Sequence, residues 1–192
     1  LREISIAMQG VLNREKLLHL ILTCVTAGFA IGFNRAFIFL VDDARQELRG
    51  YMGVGPRSPE EAGRVWSELA AQQFTFERYL ENIHRGTLER SGLQDMIEGM
   101  RCDLKSVDNI LTETVTTGHY MHITNAWNNP KIDDCMKRFV TGEFVSIPLI
   151  ARSQTIGVLV ADNAYSGRAI TPESIEVLTM FASQAGIAIE NS

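Results

Sequence analysis

The sequence predicts an α+β domain built on a central antiparallel β-sheet. Two observations carry this. Short runs rich in β-forming residues come in pairs joined by tight polar turns, at residues 35–53 and 144–162, and such hairpins make antiparallel neighbours. Before, between and after them, apolar residues recur at three- and four-residue spacing in segments that open on capping signals, so whole hairpins alternate with helices. With 192 residues, 45% hydrophobic and 21% charged, the chain has the composition of an ordinary globular domain.

Residues 1–12 read as a helix, with Ile4, Met8, Val11 and Leu12 on one face and Arg2, Glu3, Ser5 and Gln9 on the other. Asn13 is placed to cap a second helix, whose stripe is Leu17, Leu18, Ile21, Leu22 and Val25. Gly28 and Gly32 end it. Residues 35–41 are apolar at both parities, so this strand expects cover on both sides. Phe37, Phe39 and Val41 share one face; Ala36, Ile38 and Leu40 share the other. Residues 42–46 form a polar turn, and 47–53 the return strand.

Ser58, Pro59 and Glu61 signal a helix start: a cap, a proline suited to the first helical position, and the acid of a capping box. The chain keeps a helical pattern from there to about residue 105, broken near residues 73–75 and at Gly86 and Gly92. Trp66, Leu69, Phe76, Tyr79, Leu80 and Ile83 are its expected anchors onto the body. A segment this long needs structure of its own. Residues 107–117 read as a short helix, 120–124 as a strand, 125–130 as a loop and 132–139 as helical. The second hairpin pairs residues 144–150 with 156–162 across a turn at 152–154. Thr171 and Pro172 open the last helix, whose stripe is Ile175, Leu178, Phe181, Ala182, Ala185 and Ile189. No repeat, low-complexity stretch or linker interrupts the chain. It is therefore read as one domain over residues 1–192 with a helical insert at about 58–105. The helices at residues 1–12 and 172–192 are expected to continue into neighbouring domains of a longer parent.

A net charge of −5 and a pI near 5.4 exclude a globally basic nucleic-acid footprint. The longest apolar stretch, residues 17–32, is interrupted by His19, Thr23, Thr26 and Gly28 and falls short of the ~20 residues that span a bilayer. Neither nucleic acid nor membrane contact is expected. Cysteines stand at 24, 102 and 135, an odd number with wide spacing and no C-x-x-C. That argues against a disulfide framework or a zinc ribbon and for a reducing cytoplasm. His119 and His122 stand three apart, and on a strand an odd separation points them to opposite faces, so no shared metal is expected. Asp42-Asp43 and Asp133-Asp134 sit at turns, where aspartate is favoured for local hydrogen bonding. No phosphate-binding glycine loop, nucleophile elbow or H-E-x-x-H occurs.

Four blocks in order resemble the GAF family of small sensory domains. Residues 34–42 (Asn-Arg-Ala-Phe-Ile-Phe-Leu-Val-Asp) are similar to its first strand and hairpin turn. Residues 117–126 (Thr-Gly-His-Tyr-Met-His-Ile-Thr-Asn-Ala) are similar to a recurring strand and loop. Residues 144–149 with 155–163 resemble its second hairpin, and residues 170–178 with 184–192 its closing helix. With the insert and the Ala161-Asp162-Asn163 signature, the chain is most similar to GAF domains of bacterial sensor histidine kinases.

The resemblance implies a PAS-related fold, with the sheet flanked by the N- and C-terminal helices on one face and by short helices and loops on the other. It implies a non-catalytic sensory domain that relays its signal through the C-terminal helix to a downstream kinase or other output domain. It also implies a homodimer through the terminal helices. A cavity under the lid would bring together Tyr120, His122, Thr124, Asn125, Asp133, Asp134, Cys135, Phe139 and Ser146. It would take a small organic ligand or a redox cue, with no cofactor required. Two other readings stay open. One is a ligand-free dimerisation spacer. The other is an enzyme resembling the branch of the fold that reduces free methionine sulfoxide with clustered cysteines, in which Cys102 and Cys135 would approach each other across the lid.

Overall fold

The computed structural model describes residues 13–26, 32–72, 77, 78, 80, 81, 91–105 and 108–191. The predicted helix over residues 1–12 and the anchors Phe76, Tyr79 and Ile83 lie outside the described residues, as do the side chains of Trp66 and Leu69.

Strands β1 (Arg35–Asp42), β2 (Glu47–Val54), β3 (Arg101–Asp103), β4 (Met121–Ile123), β5 (Phe144–Ala151) and β6 (Gln154–Asp162) form a six-stranded sheet of order β3-β2-β1-β6-β5-β4. Every neighbouring pair is antiparallel. The two predicted hairpins thus lie side by side, joined through β1 and β6, with Arg35 opposite Asp162. The β5–β6 turn consists of Arg152 and Ser153, both at positive φ (49° and 64°), the backbone of a type I′ hairpin.

Helices α1 (Arg14–Thr26) and α5 (Pro172–Glu190) share one face of the sheet. Leu18, Ile21, Leu22 and Val25 of α1 and Ile175, Leu178, Phe181, Ala182 and Ala185 of α5 pack on Ala36, Ile38, Ile147, Leu149, Leu159 and Ala161. Gly186 permits a close approach of α5 to β5: a Cβ there would lie 2.6 Å from the Ile150 carbonyl oxygen. On the other face lie α3 (Gly92–Glu98), α4 (Ile110–Thr117) and the loop between β4 and β5. They cover Phe37, Phe39, Phe144, Val158 and Val160. The two parities of β1 are divided between the faces as its sequence requires. α2 (Pro59–Gln72) follows β2.

The caps follow from sequence with one change. Asn13 Oδ1 accepts from the Lys16 N–H at 3.2 Å. Thr171 and Ser174 form a reciprocal capping box, with Pro172 in the first turn. Ser58 Oγ accepts from the Glu61 N–H at 3.1 Å, but the Glu61 carboxylate takes the Arg57 N–H (3.0 Å) rather than that of Ser58.

Three expectations are corrected. The end of the insert is not helical throughout. After α3, capped by Ser91 and ended at Gly99, the chain turns into β3 and pairs with β2, Cys102 opposite Leu48. The unpaired backbone groups on the outer edge of β2 outweigh a helical apolar spacing. Residues 132–139 contain only a 3₁₀ turn, Met136–Arg138. Asp133 there accepts the Met136 N–H at 3.1 Å, a local bond that competes with helix, while Ile132, Met136 and Phe139 insert into the core. Finally, Cys102 and Cys135 form a disulfide across a sequence separation of 33, with Cα atoms 5.8 Å apart. Spacing argues against a disulfide framework, and only the reading that resembles the methionine sulfoxide reductases brings these two cysteines together across the lid. The β2–β3 pairing and the return of the β4–β5 loop over the sheet bring the two thiols together.

Candidate functional site

The lid over Phe37, Phe39 and Phe144 holds several of the buried polar groups among the described residues. It starts at α4. Asn109, fully buried, caps this helix, its Oδ1 accepting the N–H groups of Leu111 (2.7 Å) and Thr112 (3.2 Å). Its Nδ2 has no hydrogen-bond partner. One turn on, Thr114 Oγ1 lies 2.9 Å from Ser146 Oγ, tying α4 to β5 through two buried hydroxyls. Gly118, at φ 67°, ends the helix and turns the chain into β4.

On β4, His122 Nε2 lies 2.9 Å from Glu143 Oε2. The other oxygen of Glu143 accepts the Ile170 N–H at 3.0 Å, one residue before the Thr171 cap of α5. A single half-buried carboxylate thus joins the lid-side strand to the entry of the helix on the opposite face. Between β4 and β5 the chain loops over the sheet. Phe139 sets its ring 5.5 Å from both Phe37 and Phe39, and its carbonyl accepts from Arg35 Nη2 at 2.6 Å.

Arg35 is the centre of a second polar cluster. Its guanidinium makes a bidentate pair with Asp162, Nε to Oδ1 at 3.0 Å and Nη2 to Oδ2 at 2.6 Å, with side-chain exposures of 8% and 1%. It also lies 5.2 Å from the Phe37 ring centroid and 5.9 Å from that of Tyr165. Burial works against the charge on Arg35, but the hydrogen bonds and charge of Asp162 outweigh it, and the pKa lies above its ordinary value. Asn34 Oδ1 accepts the N–H groups of Tyr165 (2.8 Å) and Ser166 (2.7 Å), and the Tyr165 hydroxyl donates to the Pro56 carbonyl at 2.6 Å. The cluster therefore locks the ends of β1 and β6 to the lid and to the loop leading to α5. The sequence shows a charge at one end of each apolar strand, Arg35 and Asp162, and the antiparallel register of β1 on β6 sets them opposite each other.

The nine predicted site residues stand in different settings. Phe139 and Ser146 are buried. Cys135 is half-buried and bonded to Cys102. His122 is paired with Glu143, and Asp133 caps the turn that follows it. Tyr120, Thr124, Asn125 and Asp134 are exposed, Asp134 lying 3.6 Å from Lys137. An open depression on the lid, about 340 Å³, is formed by Ala126, Trp127, Asn128, Asn129, Pro130, Ile132 and Lys137, none of which the sequence marked as a site residue. Among the described residues, no helix is long and apolar enough to cross a membrane.

The sequence matches the GAF domain family over residues 15–189. No curated protein matches the chain. Among solved structures, the fold is similar to residues 122 to 287 of a methyl-accepting chemotaxis protein, with 20% identity, 98% of this chain and 95% of that one covered, and a TM-score of 0.67. It is similar to the GAF domain of an Acinetobacter phosphoenolpyruvate-protein phosphotransferase, with 13% identity, coverage of 99% and 90%, and a TM-score of 0.65. A free methionine-R-sulfoxide reductase from Neisseria meningitidis, in complex with its substrate, gives 14% identity, coverage of 99% and 87%, and a TM-score of 0.61. At these identities the likeness is one of fold, and the sequence match over residues 15–189 carries the assignment: the chain belongs to the GAF domain family.

Proposed function

We propose that this chain is a non-catalytic sensory domain of a bacterial signalling protein, with a sensor histidine kinase as parent and a cytoplasmic setting. Domains of this family are typically sensory or regulatory. The cue, a small organic ligand or a redox change, acts on the lid and alters how α5 packs. One contact supports such a relay above all: Glu143 holds His122 on the lid side and the Ile170 N–H at the entry of α5. A ligand shifts this equilibrium only through a difference in affinity between two lid states. Homodimerisation through the terminal helices, and continuation of α5 into the output domain, complete the proposal. The domain itself contacts neither nucleic acid nor membrane.

Native mass spectrometry with a metal and absorbance scan, followed by thermal melts against a metabolite panel, tests the ligand. The expected result is a bound small molecule, or a melting temperature that rises with one class of metabolite. An empty, colourless protein indifferent to the panel favours a spacer. Light scattering of the chain and of a form lacking residues 1–12 tests the dimer. A monomer at high concentration in both defeats it.

The Cys102–Cys135 bond favours a second reading, a reductase acting on free methionine sulfoxide. A turnover assay with that substrate and a thiol reductant decides it. Activity abolished by Cys102→Ser and Cys135→Ser would establish the enzyme; no turnover removes it.

A further inference from the structure

The disulfide is the one covalent tie across the lid among the described residues, and the elements it joins have little regular structure of their own. Cys102 sits on β3, a three-residue edge strand attached to the sheet only through β2. Cys135 precedes the three-residue 3₁₀ turn of the β4–β5 loop. The two sulfurs differ in access. Cys102 is buried in the cluster that contains Leu48, Ile97 and Met100. Cys135 is half-buried at the rim of the same cluster.

We propose that Cys102 and Cys135 form a reversible thiol–disulfide site, reduced by a dithiol and re-formed by a disulfide oxidant, and that opening it loosens the lid over residues 131–143. Reduction starts at the accessible sulfur. A thiolate of the dithiol attacks Cys135 Sγ; a mixed disulfide forms, and Cys102 leaves and takes up a proton. The second thiol of the reductant then attacks its own sulfur in the mixed disulfide and releases Cys135. Two electrons and two protons pass to the protein, and the dithiol becomes a disulfide. Re-oxidation by a disulfide runs the same steps backwards. In the cytoplasmic setting proposed above, disulfides are usually transient and catalytic or redox-sensing.

Cys24 takes no part. It belongs to the core cluster on the opposite face of the sheet. Burial pushes its thiol up to about 12, so it stays protonated and inert.

Opening the bond has a defined structural consequence. It frees the loop that carries Met136, Phe139 and the carbonyl held by Arg35 Nη2, and this loop ends at Glu143, the residue bonded to the Ile170 N–H. The chemistry of the pair stands alone. Its output at α5 rests on the sensory reading above.

The test uses the 192-residue chain in buffers of graded reduced-to-oxidised dithiothreitol. Alkylation with mass spectrometry counts free thiols, and hydrogen exchange follows each segment. The expected result is a single reversible two-electron transition in the folded protein, exposing two alkylatable cysteines, with exchange over residues 131–143 accelerating about tenfold on reduction. Cys135→Ser should exchange at the reduced rate in every buffer. A bond that yields only when the chain unfolds, thiols that never close in oxidised buffer, or a transition that leaves residues 131–143 unchanged would each overturn the proposal. Faster exchange at Ile170 and the first turn of α5 on reduction supports the relay. A loop that loosens while α5 stays unchanged keeps the redox site and sinks the relay.

Discussion

Against one face of the sheet lie α1 and α5, helices of 13 and 19 residues whose buried apolar residues join one core with the sheet. Against the other lie α3 and α4, of seven and eight residues, and a loop whose regular structure is limited to 3₁₀ turns. The first face is held by many apolar contacts, each individually small. The second has an apolar cluster too, around Phe37, Phe39, Phe139 and Phe144, but its short elements also depend on a few discrete ties: the Arg35–Asp162 pair, the Cys102–Cys135 bond, and the Thr114–Ser146 and His122–Glu143 links. A face held by many weak contacts gives way only with the whole fold. A face whose short elements and loop depend on a few specific ties has states that one chemical event can separate, and local opening is drawn from such regions.

Breaking the ties in turn tests this difference. Arg35→Ala removes the partner of the buried Asp162 carboxylate and should cost about 3–5 kcal/mol in denaturant unfolding. A double-mutant cycle with Asp162→Asn should show coupling on the order of 2 kcal/mol. Additive losses would mean that the pair does not hold the lid. Reducing the disulfide opens a loop closed across a sequence separation of 33 and should lower stability by roughly 3–4 kcal/mol, read as a shift in urea midpoint between oxidised and reduced protein.

On the helical face, Gly186→Ala places a methyl group 2.6 Å from the Ile150 carbonyl. It should cost roughly 1–3 kcal/mol despite the gain in helix propensity. That loss should appear as global unfolding, with hydrogen exchange in α1 and α5 rising while residues 131–143, which open locally, change little. The smallest effect lies in the β5–β6 turn. Ser153 holds φ at 64° without being glycine, so Ser153→Gly should change stability by under about 1 kcal/mol, in the stabilising direction. A thermal melt reads it, and a clear loss would contradict the turn assignment.

The same contrast explains what the sequence disclosed. α1, α5 and the two hairpins are regular, and regular elements write their period into the chain. Ala36 and Ile38 fall to one side of β1 and Phe37 and Phe39 to the other, and Thr171 with Pro172 marks the start of α5. The lid has no period to read. β3 is three residues long and exists because β2 offers it an edge. Ser146, expected at a ligand, shares its hydroxyl with Thr114, and Phe139, expected in a pocket wall, fills the core. Arg35 and Asp162 lie far apart in sequence, and only the register of β1 on β6 sets them face to face. The candidate site was legible as a region, and its wiring was not, because that wiring depends on contacts between segments distant in sequence.

Native-state hydrogen exchange under increasing, sub-denaturing urea tests the contrast most directly. The prediction is that the apolar core of α1 and α5 exchanges only through global unfolding, while residues 125–143 open at a distinctly lower free energy with little dependence on urea. Equal opening free energies and equal urea dependence on both faces would contradict it.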